Sequence, residues 1–226
     1  MKKIFLSVLV CLLCSLSAFA DELRLDKDTQ FQKKVMQIGF KILNDNQIEK
    51  RMTFYYSPRQ NVNATTQLSA KQITLYKGIL PFVDSDDELA GILAHEIAHG
   101  VDAHRGLWRR IMMSAHSQVF EFNADQKGVD YMVTAGYNPV ALIVILNKIA
   151  SEPNWFERSS THPEGSARLV ALYDYIYSKY PQYLINNTYK TNIYYQNFLL
   201  TTKKERKEIR EKYTPKTKNV ATKVSL

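Results

Sequence analysis

SDDELAGILAHEIAH, residues 85–99, is the stretch on which the reading of this chain turns. It opens with helix-start signals. Ser85 is placed to cap, Glu88 follows at capping-box spacing, and Asp86 and Asp87 put negative charge at the positive end of the helix dipole. Leu89, Ile92, Leu93 and Ile97 supply an apolar face, and the pattern runs to about Arg110. Within it, His95 and His99 stand four apart, one turn apart on one face, so both imidazoles can reach a single ion at about 2.0–2.1 Å. Glu96 lies near the same ion without being forced to bind it, which suits a base acting on a metal-activated water. The plainer alternative is a pair of histidines hydrogen-bonded in a core.

A catalytic zinc site usually has three protein ligands and an open position, so a third ligand is sought on another helix. His104, five residues after His99, points about 140° away around the helix and does not readily close on the same ion. His116 stands alone. Glu121 is the better candidate, because Asp125 follows one turn later and can hydrogen-bond a ligand histidine; for these two the plain alternative is a solvated helix face. They fall in a second helix expected over about Ser114 to Ala135, closed by Gly136.

Around this pair, Thr29 to Leu43 reads as an amphipathic helix. Met52 to Tyr56 and Gln72 to Tyr76 read as strands. Pro139 to Ala150 reads as a buried helix, and Ser151 to Ser160 as a polar loop. A fourth helix is expected to start at Thr161 and Pro163, with Glu164 at capping-box spacing, and to run to about Tyr180. Eight of the chain's 14 tyrosines fall between Tyr173 and Tyr195 and read as packing surface. The class is α+β and mainly helical.

Of the 226 residues, 1–20 read as a removable export signal: Lys2 and Lys3, an apolar run from Ile4 to Leu13, then Ala18 and Ala20. Residues 21–200 remain as one domain and 201–226 as a basic tail. Both cysteines, Cys11 and Cys14, lie in the signal, so the mature chain has no disulfide, no thiolate nucleophile and no cysteine metal ligand. No later run approaches the roughly 20 apolar residues of a membrane span, and the mature protein is expected to be soluble and exported, periplasmic or secreted. The net charge of +8 is unevenly placed. Residues 21–200 are balanced, whereas 201–226 carry nine Lys and Arg against Glu205, Glu208 and Glu211. That tail reads first as solvated and second as a peripheral contact for anionic membrane; export argues against nucleic acid.

Three motifs in order, His95 to His99, then Glu121-Phe-Asn-Ala-Asp125, then Thr161-His162-Pro163 with Arg168, resemble the gluzincin metallopeptidases of the HtpX, Oma-type and CAAX-prenyl-protease group. The resemblance covers roughly residues 52–175. It implies a small antiparallel or mixed sheet packed beside the zinc helix and one Zn²⁺ per chain on His95, His99 and Glu121. It also implies Glu96 as general base, Asp125 as support, and His162 with Arg168 bordering the active site. His104 matches a histidine often found downstream of the family's zinc motif. Two features depart from the pattern. Glu121 follows His99 by only 22 positions, where many relatives insert a long apolar segment, and Ser69-Ala70 replaces a glycine pair.

The expected reaction is peptide hydrolysis. Glu96 takes the proton of a water activated by zinc, and the carbonyl develops an oxyanion that His162 can stabilise as a donor. His162 can instead serve as a fourth ligand that holds the site closed. Arg168 is expected to hold the loop through a carboxylate. Substrate backbone is expected to pair with Gln72, Ile73, Thr74, Leu75 and Tyr76 as a sheet edge. The alternative is a zinc-containing chaperone-like or binding module with little or no proteolysis, for which Glu96 has no use.

Overall fold

The computed structural model describes residues 26–67, 71–103, 117–150 and 165–214. Helix α1 (Lys27–Asp45) begins at Asp26, whose carboxylate accepts the Thr29 amide at 2.9 Å. Its buried face, Val35, Ile38, Gly39, Ile42 and Leu43, keeps the helical spacing seen in sequence. Strands β1 (Thr53–Ser57), β2 (Ala64–Gln67) and β3 (Gln72–Tyr76) follow, then a 3-10 turn (Lys77–Phe82). The rest is helical: α2 (Asp86–Ala103), α3 (Ser117–Thr134), α4 (Val140–Ala150), α5 (Ser166–Lys179), α6 (Gln182–Ile185), α7 (Ile193–Thr201) and α8 (Lys203–Tyr213). The fold is mainly helical with a small mixed sheet, as expected.

The sheet order is β1-β3-β2, with β1 parallel and β2 antiparallel to β3. This corrects the expected substrate strand. Gln72 to Tyr76 is the central strand, and its backbone is committed to neighbours on both sides, so it offers no edge for a peptide. The two true edges differ. On β1, the Gln32 side-chain amide donates to the Phe54 carbonyl at 3.1 Å and accepts the Tyr56 N–H at 2.5 Å, so helix α1 covers that edge. On β2, Asn63 accepts the Tyr76 N–H at 3.1 Å, which turns the backbone groups of Ala64 and Thr66 away from β3. β2 also packs on α2.

Helix α2 is the axis of the molecule. From Glu88 to Gly100 every residue is buried, so the helix is covered on all sides rather than on the single face its larger apolar residues mark. α1, α3, α4 and β2 all pack on it, most extensively α3. The start matches the sequence signal with one change. Ser85 Oγ accepts the Glu88 N–H at 3.2 Å, but the Glu88 carboxylate returns to the N–H of Asp84, at 2.9 Å. α3 ends as expected at Gly136, whose φ of +80° needs no Cβ, with Tyr137 N–H reaching the Met132 carbonyl at 2.8 Å.

Two further expectations are corrected. The fourth long helix begins at Ser166 and not at Thr161, because Gly165 has extended backbone (φ −175°, ψ 158°); Thr161 to Glu164 themselves lie outside the described residues. Residues 203–213, read as solvated tail, form α8, which packs on α5 and buries Ile209. The tyrosine-rich segment does pack: Tyr173 stacks near Tyr177 and Phe198, and Tyr195 near Phe198.

Candidate metal centre and cleft

His95 and His99 come from the middle of α2, and Glu121 and Asp125 from one face of α3. That face is not solvated. It carries the buried stripe Glu121, Ala124, Asp125, Val129 and Met132. Gly128, one turn beyond Ala124, lets the helices approach: a Cβ there would lie 3.3 Å from the His95 backbone nitrogen, tighter than ordinary packing.

The close approach brings three donor groups together. His95 Nε2 is 3.0 Å from His99 Nε2 and 3.3 Å from Glu121 Oε2, and His99 Nε2 is 3.1 Å from Glu121 Oε1. Tetrahedral zinc with bonds of 2.0–2.1 Å sets neighbouring ligand atoms about 3.3 Å apart, so the set fits a divalent cation in spacing and in chemistry. His95 Nδ1 lies 2.9 Å from Asp125 Oδ1, which assigns the ring proton to Nδ1 and leaves Nε2 with its lone pair toward the other donors. Among the described residues, these three are the group that could hold a metal.

The electrostatics carry the same sign. Burial opposes charge on His95, but hydrogen bonds and charges from Asp125 and Glu121 more than reverse this and push its pKa up to about 10. Burial likewise opposes charge on Asp125, yet the Arg168 guanidinium and His95 hold its carboxyl below the usual range. The cluster is built to hold positive charge between its carboxylates, and a metal can take the proton's place.

Arg168 lies in the first turn of α5, and the loop it is expected to hold is outside the described residues. Among the described residues its carboxylate partners lie on α3. It grips Asp125 through Nε at 2.5 Å and Nη2 at 2.7 Å, and its Nη1 is 3.2 Å from Glu121 Oε2. This bidentate clamp orients the residue that orients His95. His162, His104, His116 and the loop 151–160 lie outside the described residues, as do residues 1–20 and 215–226.

Glu96 is buried beside His95, and the Thr66 hydroxyl lies 2.6 Å from its Oε2 and 2.9 Å from its carbonyl. Thr66 sits on edge strand β2, so the strand and the expected base are tied together. A cleft opens beside His95, Glu96 and Arg168, with walls from Ile79, Ile92, Leu142, Leu146 and Ile149. Asn63 and Ala64 complete its rim, and Asn63 Oδ1 is a buried acceptor with no hydrogen-bond partner among the described residues. Sequence reading passed over Asn63 and Thr66. The run Ala64-Thr65-Thr66 is a weak β signal, and its meaning depends on lying against α2.

A two-helix donor set of this kind, beside an edge strand and an apolar cleft, is compatible with a metallopeptidase centre. The profile of peptidase family M48 matches residues 29–118 and 105–176, more than half of the chain, and the chain belongs to this family. It is also similar to the mitochondrial metalloendopeptidase OMA1 of Arabidopsis thaliana, 28% identical over a 134-residue alignment. That alignment covers 46% of this chain and 28% of the relative, so the likeness concerns a part of each protein.

Proposed function

We propose that this protein is an exported, zinc-dependent endopeptidase that cleaves unfolded envelope proteins. The observation that carries the reading is the convergence of His95, His99 and Glu121 within 4.8 Å, beside Glu96 and an open cleft. Zinc bound there supplies Lewis acidity to a water and to the scissile carbonyl. Glu96 takes the proton of the attacking water and returns it to the departing amide nitrogen. Thr66 holds the Glu96 carboxylate, and Asp125 holds the His95 ring. His162 is the proposed donor to the oxyanion, so His162→Ala lowers turnover by about 10²- to 10³-fold with metal retained; increased basal cleavage would assign it to closing the site instead.

The substrate lies extended along the open edge of β2, where Ala64 and Thr66 offer main-chain groups, and the Asn63 amide oxygen accepts a substrate N–H. The apolar cleft takes a bulky apolar side chain next to the scissile bond. Such segments are exposed in unfolded proteins and buried in folded ones, which favours a role in quality control. Export rests on the residues 1–20 pattern, and N-terminal sequencing of envelope protein should find Asp21 first.

The deciding experiment measures casein cleavage by the purified chain, metal-depleted and then reloaded with zinc, together with metal content of wild type and Glu121→Ala. Cleavage restored by zinc, and metal lost in the variant, are expected. A zinc-loaded protein that binds casein without cutting it would replace this reading with the binding-module alternative.

A further inference from the structure

The three most solvent-exposed large apolar side chains among the described residues are Ile185 (79%), Leu200 (78%) and Ile193 (75%). All three lie in one short stretch of the C-terminal quarter. Ile193 and Leu200 are seven residues apart on α7, two turns along one face, with Gln196 and Asn197 exposed between them and Tyr195 and Phe198 buried on the other side. Helix α8 follows directly after Thr202. It exposes Lys203, Lys204, Lys207, Arg210 and Lys212, while Ile209 faces inward. Lys212 pairs with Asp174 at 3.0 Å and Lys207 with Glu211 at 3.7 Å, but Lys203, Lys204 and Arg210 have no carboxylate partner among the described residues. Six Lys and Arg against Glu205, Glu208 and Glu211 give α8 a net charge of +3, mounted on a docked helix that follows directly on the protruding aliphatic side chains of α7.

We propose that α7 and α8 form a peripheral docking surface for an anionic lipid bilayer. Ile193 and Leu200 enter the acyl boundary while the basic side chains of α8 meet the headgroups. Apolar side chains with adjacent lysines and arginines are the two contributions that surface binding to such membranes combines. No described helix is long and apolar enough to cross a membrane, so the contact is with the surface. Two-fold docking of a second copy is disfavoured by charge, because it would set one basic helix against another. α7 also packs on α4, which lines the cleft, so docking holds the cleft at a set position relative to the bilayer.

The test uses the chain from Asp21, which carries every described residue and lacks the apolar run 4–13. Its sedimentation is measured with vesicles of phosphatidylglycerol and phosphatidylcholine, and with phosphatidylcholine alone, at low and high salt. Binding at least about tenfold stronger to the anionic vesicles, weakened by salt, is expected. Ile193→Ser with Leu200→Ser, and separately Lys203→Gln, Lys204→Gln and Arg210→Gln, should each weaken it about tenfold with unchanged circular dichroism and unchanged cleavage of a soluble peptide. Equal binding to neutral vesicles, no binding, or binding untouched by both sets of variants overturns the proposal. So does a dimer in sedimentation equilibrium that the Ile193 and Leu200 variants dissolve, which would assign the face to a second copy. Because the readout is vesicle binding, it stands or falls separately from the peptidase reading.

Discussion

Among the buried carboxylates of helix α2, Glu88 and Glu96 stand two turns apart and sit in opposite kinds of surroundings. Glu88 meets Lys148 from α4, whose ammonium lies 2.8 Å from both of its oxygens and also reaches Asp84 at 2.6 Å and the Phe82 carbonyl at 3.1 Å. That cluster is closed: the buried Glu88 and Lys148 match one for one, and the second anion, Asp84, is exposed to water. Around Glu96 the balance is different. Two imidazoles and Glu121 turn lone pairs toward one another at 3.0–3.3 Å, and a cation must be supplied, as a proton or as a metal. Burial and charge are common to both regions. What separates a structural ion pair from a reactive centre is whether the partners already neutralise one another within the chain.

The same substitution at both positions breaks the comparison most sharply. Glu96→Gln should lower peptidase activity by about 10²- to 10⁴-fold, with metal content and thermal unfolding close to wild type, because an amide cannot accept the water proton. Near-normal turnover would remove Glu96 from the chemistry. Glu88→Gln should do the reverse. Lys148 would keep only the exposed Asp84 as an anionic partner, so urea denaturation should show a loss of about 3 kcal/mol while activity per folded molecule is retained.

A pH series sharpens the contrast. In the metal-free protein the His95 pKa is raised from 6.5 to about 10, so its contribution to stability is fully present below about pH 6.5 and is lost as pH rises through about 10. Urea midpoints of metal-free protein should fall across that window, by on the order of a few kcal/mol in stability. Saturating zinc should flatten this slope, since the metal replaces the proton. A flat profile without metal would mean that His95 is neutral there. The smallest effect concerns Thr66. Thr66→Val removes the hydroxyl from the Glu96 carboxylate and should lower kcat about tenfold with little change in KM, and Thr66→Ser should restore it. A loss shared equally by the serine variant would point to packing of β2 instead.

What was legible in the sequence was what a single helix encodes. His95, Glu96 and His99 share a turn, Glu121 and Asp125 share another, and the Ser85 and Gly136 boundaries are local hydrogen-bond patterns. The family resemblance joined the two helices before any contact was seen. Burial of α3's acidic face was not legible, because Glu121 and Asp125 look alike on a wet or a dry helix until Arg168 closes over them.

Sequence alone thus determined where α1 to α4 lie, the Ser85 and Gly136 boundaries, and the pairs His95–His99 and Glu121–Asp125, all properties of residues close in sequence. Tertiary structure decided the rest. Strand order made Gln72 to Tyr76 the centre of the sheet and left Ala64 to Gln67 at the edge, because pairing joins segments whose partners no local pattern names. It also turned part of a basic tail into a helix that packs on α5, since Ile209 is the one residue of that helix buried on an inward face. Periodicity is written into neighbouring residues, whereas the choice of which surfaces meet depends on the packing of the whole chain.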